Sequence, residues 1–191
     1  MLSMRAAEEK GLKLPEKIQR TLANYFLAAS NLHGLVSIET IHRFYNSSHP
    51  PLDLLAFTVF GIIFSDRDDT RLYILDKQGK VLSNGKHQQS RVEYIAEYTV
   101  VEGKAFSHVR TRQEGNPYYL PPEEEFLRWA DESYMEESEH FLRLRSHLLS
   151  LGMDAEKSNE CMHDVLSYIR FYVADPHDLL EQYKIRLKDL N

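Results

Sequence analysis

Apolar residues recur at helical spacing along most of the chain. Ile18, Leu22, Tyr25, Phe26 and Ala29 follow Pro15 and stop before Gly34, a pattern that predicts a first helix. Leu35-Val36 reads as a short extended link. Ser37 stands where it can cap a second helix, whose apolar side is Ile38, Ile41, Phe44 and Tyr45. The run Asn46-Ser-Ser-His-Pro-Pro51 breaks that helix. From Leu52 to Phe64 nearly every position is apolar, so periodicity alone does not separate helix from strand. Thr58, Val59, Ile62 and Ile63 favour a strand. Pro51 at a first helical position and Asp53 in a first turn favour a buried helix, which is the reading taken. Arg71 to Leu75 and Lys80 to Ser83 predict a β-hairpin, with Gly79 at its left-handed turn position. Ser83 to Ser90 is a polar loop and the best candidate for a linker. Arg91 to Val101 fits strand or helix, and Gly103 to Glu114 reads as helix.

The stretch Gly115 to Leu151 organises the second half of the chain. Asn116-Pro117 marks a turn, and the two prolines at 121 and 122 push Tyr118 to Leu120 into extended geometry. Pro122 suits a first helical position, and Glu123, Glu124 and Glu125 then occupy a first turn that the helix dipole favours for acids. Phe126, Trp129 and Ala130 make one apolar face. Ser138 is placed to cap a further helix with Phe141, Leu144, Leu148 and Leu151 on its buried side and Gly152 as its stop. Asp154 caps the next, with a stripe of Cys161, Val165, Leu166, Ile169 and Tyr172. Asp175-Pro176 opens a last helix carrying Leu179, Leu180, Tyr183, Leu187 and Leu190. The expected fold is mainly α with a small β-hairpin. A polar arm (1–14) precedes a winged-helix-like module of three helices and a hairpin (15–88), and a helical module (89–191) closes the chain.

With 191 residues the chain has room for one domain or two small ones. Its net charge of −6 is unevenly placed. Residues 1–91 hold 12 of the 23 Lys and Arg and 9 of the 29 Asp and Glu, a balance of +3, so the remainder carries −9. An acidic C-terminal half disfavours a phosphate-binding surface there and leaves the N-terminal half as the credible nucleic-acid face. The candidates for such contact are Arg5, Lys13, Lys17, Arg20 and Arg43. The helix expected at Leu52 to Phe64, third in winged-helix order, offers no arginine, lysine, asparagine or glutamine to base edges. A helix apolar on all sides is buried rather than laid in a groove. Cys161 is the only cysteine, which excludes an internal disulfide framework and a cysteine-based zinc site within one chain and fits a cytoplasmic setting. Arg5, Glu8, Glu9 and Lys10 leave no apolar secretory core near the start. The longest apolar run, Leu54 to Phe64, falls short of the roughly 20 residues that span a bilayer.

Few reactive motifs appear. No glycine-rich phosphate loop and no Gly-x-Ser-x-Gly elbow is present. Cys161 sits on an apolar helix face, where an inert thiol outweighs a nucleophile. Asp66, Asp68 and Asp69 suggest a calcium loop, but position six lacks glycine and Lys77 stands where position twelve needs glutamate, so turn chemistry explains them better. Glu136, His140 and His147 share one helix side and would need His163 or Asp164 to complete a metal site; separate surface residues are the preferred reading. No metal and no cofactor is expected. Tyr118, Tyr119 and Trp129, with Glu123 and Glu124, are candidate contacts for a protein partner. The preferred reading makes the aromatics core anchors where the two halves of the chain meet and the glutamates a solvated helix start.

Two segments carry a family resemblance. Asn31-Leu-His-Gly-Leu-Val-Ser-Ile-Glu-Thr-Ile-His-Arg-Phe-Tyr-Asn46, and Gly115-Asn-Pro-Tyr-Tyr-Leu-Pro121 with Glu124-Glu-Phe-Leu-Arg-Trp-Ala-Asp131, resemble uncharacterised helical proteins of Gram-positive bacteria. Some of those end in a Cys-rich zinc tail of the kind found on the translocation ATPase SecA. The resemblance covers roughly residues 15 to 150. This chain lacks that tail, so neither zinc nor a chaperone contact is implied. The resemblance favours helix at 52–64 and brings no activity. The expected function is a non-enzymatic protein-interaction or regulatory module of the bacterial cytoplasm, with an unidentified protein partner and homo-oligomer formation left open. The alternatives are a winged-helix nucleic-acid binder and a hydrolase whose carboxylates spacing does not identify.

Overall fold

The structure is a computed structural model that describes residues 13–83 and 91–167. It is mainly helical with a small antiparallel sheet of four strands. The chain divides into two compact units, Met1–Tyr134 and Met135–Asn191. Among the described residues no helix is long and apolar enough to cross a membrane.

The first unit opens with α1 (Glu16–His33), which ends where Gly34 takes φ 67°, a conformation open to glycine without steric cost. Its apolar stripe is buried as the spacing predicts: Leu22, Tyr25, Phe26 and Ala29 are inaccessible to solvent. β1 (Leu35–Ser37) and α2 (Ile38–Ser48) follow. The ambiguous apolar run is helical, as α3 (Leu54–Ser65). Asp53 is not in its first turn but is its cap, accepting the Ala56 N–H at 2.9 Å. Replacing Asp53 by Ala is expected to cost about 1 kcal/mol, because that N–H is left without a partner; urea titration of the variant checks it. Gly61 lies at the crossing of α3 with α1. A Cβ there would fall 2.4 Å from the Phe26 ring, so a side chain would force the two helices apart.

The sheet comprises β1, β2 (Leu72–Asp76), β3 (Val81–Leu82) and β4 (Val92–Glu97) in the order β1-β4-β2-β3. The expected hairpin is its β2–β3 pair. Gly79 at φ 81° turns it, and the Asp76 carboxylate accepts the N–H groups of Gln78 and Lys80. Leu35-Val36 is more than a link, since Val36 pairs with Ile95 and Ile95 pairs in turn with Ile74. The stretch 91–101 is both strand and helix: β4 runs into α4 (Tyr98–Glu102), capped by the Glu97 carboxylate on the Thr99 N–H. α5 (Phe106–Gln113) and α6 (Glu123–Arg128) complete the unit. Pro122 stands one position before α6 rather than inside it.

These pairings correct the division at residue 88. Polarity marks 83–90 as a linker, yet the strand after it lies between β1 and β2, so the strands before and after this stretch belong to one sheet. The N-terminal unit therefore runs to Tyr134, and its core joins residues of α1, α2, α3, the sheet and α6, from Leu22 to Trp129.

The second unit is described over α7 (Glu139–Ser150) and α8 (Ala155–Ser167). Ser138 caps α7 through the Phe141 N–H, Asp154 accepts the Lys157 N–H, and Gly152 adopts φ 90° at the turn. Phe141 and Leu148 are buried with Met162, and the half-buried Cys161 packs beside them. Leu144 and Leu151, expected on that side, are exposed. Phe141 and Leu148 are seven residues apart and lie on one line down α7; Leu144 and Leu151 fall to one side of it. Ile169, Tyr172 and the helix expected after Asp175 lie outside the described residues.

Candidate functional site

The chain from Asn116 to Tyr134 lies against α1 and α2, and its polar groups meet theirs. Glutamates favoured at the start of α6 by its dipole would ordinarily face water. Glu123 instead turns inward. Its Oε1 accepts the Tyr25 hydroxyl at 2.8 Å and pairs with His49 Nε2 at 2.6 Å. Burial pushes the Glu123 carboxyl up, but hydrogen bonds from Tyr25 and His49 outweigh it and hold the group below the usual carboxylate range. Burial, reinforced by the neighbouring carboxylate, pushes the Tyr25 phenol well above its ordinary value. The His49 ring stacks on Tyr45 at 4.7 Å, and Tyr25 meets the edge of Tyr45 at 5.3 Å. Three residues later Phe126 enters the same aromatic group, 5.4 Å from Tyr25 and 5.0 Å from Phe44. Asn31 of α1 then donates to the Trp129 carbonyl at 2.9 Å. The arrangement fixes α6 to two helices through one ionised oxygen, a set of rings and one backbone bond.

A second polar corner lies where α1 meets β1. His33 is buried at 9% exposure, with the Tyr118 ring 5.5 Å away in an edge contact. Gln113 Nε2 donates to the His33 carbonyl at 3.1 Å. That bond sets the orientation of the amide and leaves Gln113 Oε1 buried without a donor; His33 Nε2 is likewise buried and unpartnered. Burial pulls the His33 pKa down to about 4, so its imidazole is neutral at neutral pH. A cleft of about 170 Å³ adjoins this corner, lined by Leu35, Tyr94, Arg110, Gln113, Glu114 and Tyr118.

Of the candidate partner contacts, Trp129 is a core residue at 2% exposure, so in this fold its ring is not offered to a partner. Glu123 is committed to Tyr25 and His49, and Tyr118 is half-buried. Tyr119 at 60% exposure and Glu124 stand at the surface, the first bonded to Glu125 and the second 3.6 Å from Arg128. Of the nucleic-acid candidates, Arg5 lies outside the described residues. Lys13, Lys17 and Arg20 are exposed around the start of α1, and Arg43 is exposed on α2. Among the described residues no group of three His, Cys, Asp or Glu is placed to hold a metal ion, so Glu136, His140 and His147 do not assemble with a further ligand.

Tyr25, His49 and His33 escape detection by local pattern. Tyr25 and Glu123 are 98 positions apart, and nothing local to either marks the other. No family model matches the chain, and no curated protein or solved structure shows significant similarity to it.

Proposed function

We propose that the N-terminal unit is a winged-helix-like module that binds a protein partner and does not read duplex nucleic acid. The order helix, strand, helix, helix, hairpin supports the first part, together with the pairing of β1 to the sheet that the hairpin starts. In such a module α3 would be the helix laid in the major groove. The observation that carries the second part is the surface of α3. It buries Ala56, Phe57, Val59, Phe60, Ile62 and Phe64. At the end that would approach base edges it exposes Leu54 (37%) and Leu55 (38%) behind the carboxylate of Asp53. Bases are read by arginine, lysine, asparagine and glutamine, and α3 carries none of them. Exposed leucines beside a carboxylate suit a protein surface instead. The Glu123–His49 pair is taken up with Tyr25 in holding α6 against α1 and α2, which supports a non-enzymatic role. The lone cysteine fits a reducing, cytoplasmic setting, and the family resemblance would make that cytoplasm bacterial.

Fluorescence anisotropy against a random-sequence duplex library at about 0.15 M salt is the test. The expected result is no selected motif, with at most weak, salt-sensitive binding through Lys13, Lys17 and Arg20. Selection of a defined motif at submicromolar affinity would overturn the reading and promote the nucleic-acid alternative. In the complementary arm, a partner identified by crosslinking is expected to be lost on the double change Leu54→Glu and Leu55→Glu while the fold is kept.

A further inference from the structure

A groove of about 380 Å³ runs between α1 and α3, in the range of small-molecule sites. Glu16, Gln19, Arg20 and Ala23 on one face of α1 make one wall, and Phe60, Ile63 and Phe64 of α3 make the other, with Arg67 just beyond the end of that helix. The two helices run in opposite directions here. Phe26 meets Phe57 and the backbone of Gly61, whereas the residues from Glu16 to Ala23 face the later part of α3. Ala23 and Phe60 therefore stand at the inner end of the groove, and Arg20 and Arg67 at the outer end. Between them the floor is Ile63 and Phe64.

The charged groups toward the outer end are Glu16, Arg20 and Arg67. Arg67 is engaged, with its guanidinium 5.6 Å over the Phe64 ring and bonded through two nitrogens to Asp69. Arg20 makes no hydrogen bond or ion pair with any described residue, although it is exposed beside an apolar floor. Among the described residues Arg20 is thus an uncommitted cation at the head of an aliphatic and aromatic channel. Glu16 lies one turn earlier on the same wall and disfavours a second negative charge, so a polyanion is a poor fit.

From this we infer that the groove between α1 and α3 binds a monomeric amphiphile with one anionic head and an unbranched aliphatic chain, the head on Arg20 and the chain along Ala23, Phe60, Ile63 and Phe64. The site is distinct from the partner-binding surface proposed for the N-terminal end of α3 and does not rest on it.

Decanoate, kept monomeric, is the probe, and decan-1-ol is the matched neutral chain. Two-dimensional amide NMR of the full chain is expected to show saturable shifts centred on Arg20, Ile63 and Phe64 at one decanoate per chain. Decan-1-ol is expected to bind about tenfold more weakly, because its neutral hydroxyl lacks the charge that pairs with the Arg20 guanidinium. Arg20→Gln should bring decanoate down to the level of decan-1-ol and leave decan-1-ol unchanged. Ile63→Ser, at a half-buried floor position, should weaken both ligands together. Equal affinities for the two probes, non-saturable shifts, shifts away from α1 and α3, or indifference to Arg20→Gln would each overturn the assignment. So would shifts of the same residues on dilution without ligand, since the occupant would then be a second copy of the chain.

Discussion

Trp129→Ala is expected to lower the stability of the first unit by about 3–5 kcal/mol, the range for removing a large aromatic side chain from a packed core. Trp129 is 2% exposed and sits at the C-cap of α6, edge-on to Tyr134 at 4.9 Å. α6 has only six residues and does not stand on helix propensity alone. It is held at one end by Glu123 and at the other by Trp129 with the Asn31 bond to its carbonyl. Losing the indole therefore opens a cavity and loosens the end of α6 together. Urea titration followed by circular dichroism reads the loss. A value under about 1 kcal/mol would mean that the ring is exposed in solution and free to meet a ligand.

Much of the first unit follows from local rules. The spacing from Ile18 to Ala29 with Gly34 behind it specifies α1, and Asp76 with Gly79 specifies the hairpin turn. The run at 52–64 is helical because its other faces meet α1, α2 and β2; that tertiary burial decides between helix and strand, and periodicity contains no trace of it. What the sequence conceals are the pairings over long separations. Val36 looks like a connector until Ile95 is placed beside it. The polar residues at 83–90 look like a domain boundary by composition, and only the register of β4 shows that the chain on either side belongs to one sheet.

The candidate site was legible by half for the same reason. The acids at 123–125 are a sound signal for a helix start, and two of the three roles assigned to them, dipole complement and solvated face, hold for Glu124. Glu123 differs because its carboxylate finds a phenol and an imidazole from α1 and α2, elements that local pattern does not connect to it. Trp129 was legible as an anchor from its place beside Phe126 on an acidic helix. Leu144 and Leu151 were not legible as exposed, since a heptad-like pattern describes what one helix can bury and not how much its neighbour covers.

The stability of the first unit is expected to fall steeply on mild acidification, and His33 is the group that makes it fall. In the unfolded chain its imidazole titrates near the ordinary value of about 6.5. In the fold it is buried with Nε2 unpartnered, which disfavours the charged form and pulls its pKa down to about 4. Between those two values the unfolded state binds a proton that the native state does not. The contribution of this group is therefore whole above about pH 6.5, is lost as pH falls toward about 4, and is level below. Each pH unit inside the window removes up to about 1.4 kcal/mol, so the whole descent is on the order of 3 kcal/mol. Other carboxyls act in the same region with their own signs. The buried Glu97 has a raised pKa from burial, and it gains stability as pH falls. Glu123, held low by its two donors, loses stability only at the acid end. The difference between the wild type and His33→Leu isolates the histidine from both. Urea titrations at intervals from pH 7 to pH 4 should give a wild-type curve that descends more than that of the variant across this window, the difference between the two changing by about 3 kcal/mol. His33→Gln serves as the second non-titrating variant and should follow the same shallow course. Parallel curves for wild type and both variants would show that His33 titrates alike in the two states, and the buried neutral imidazole would then be wrong.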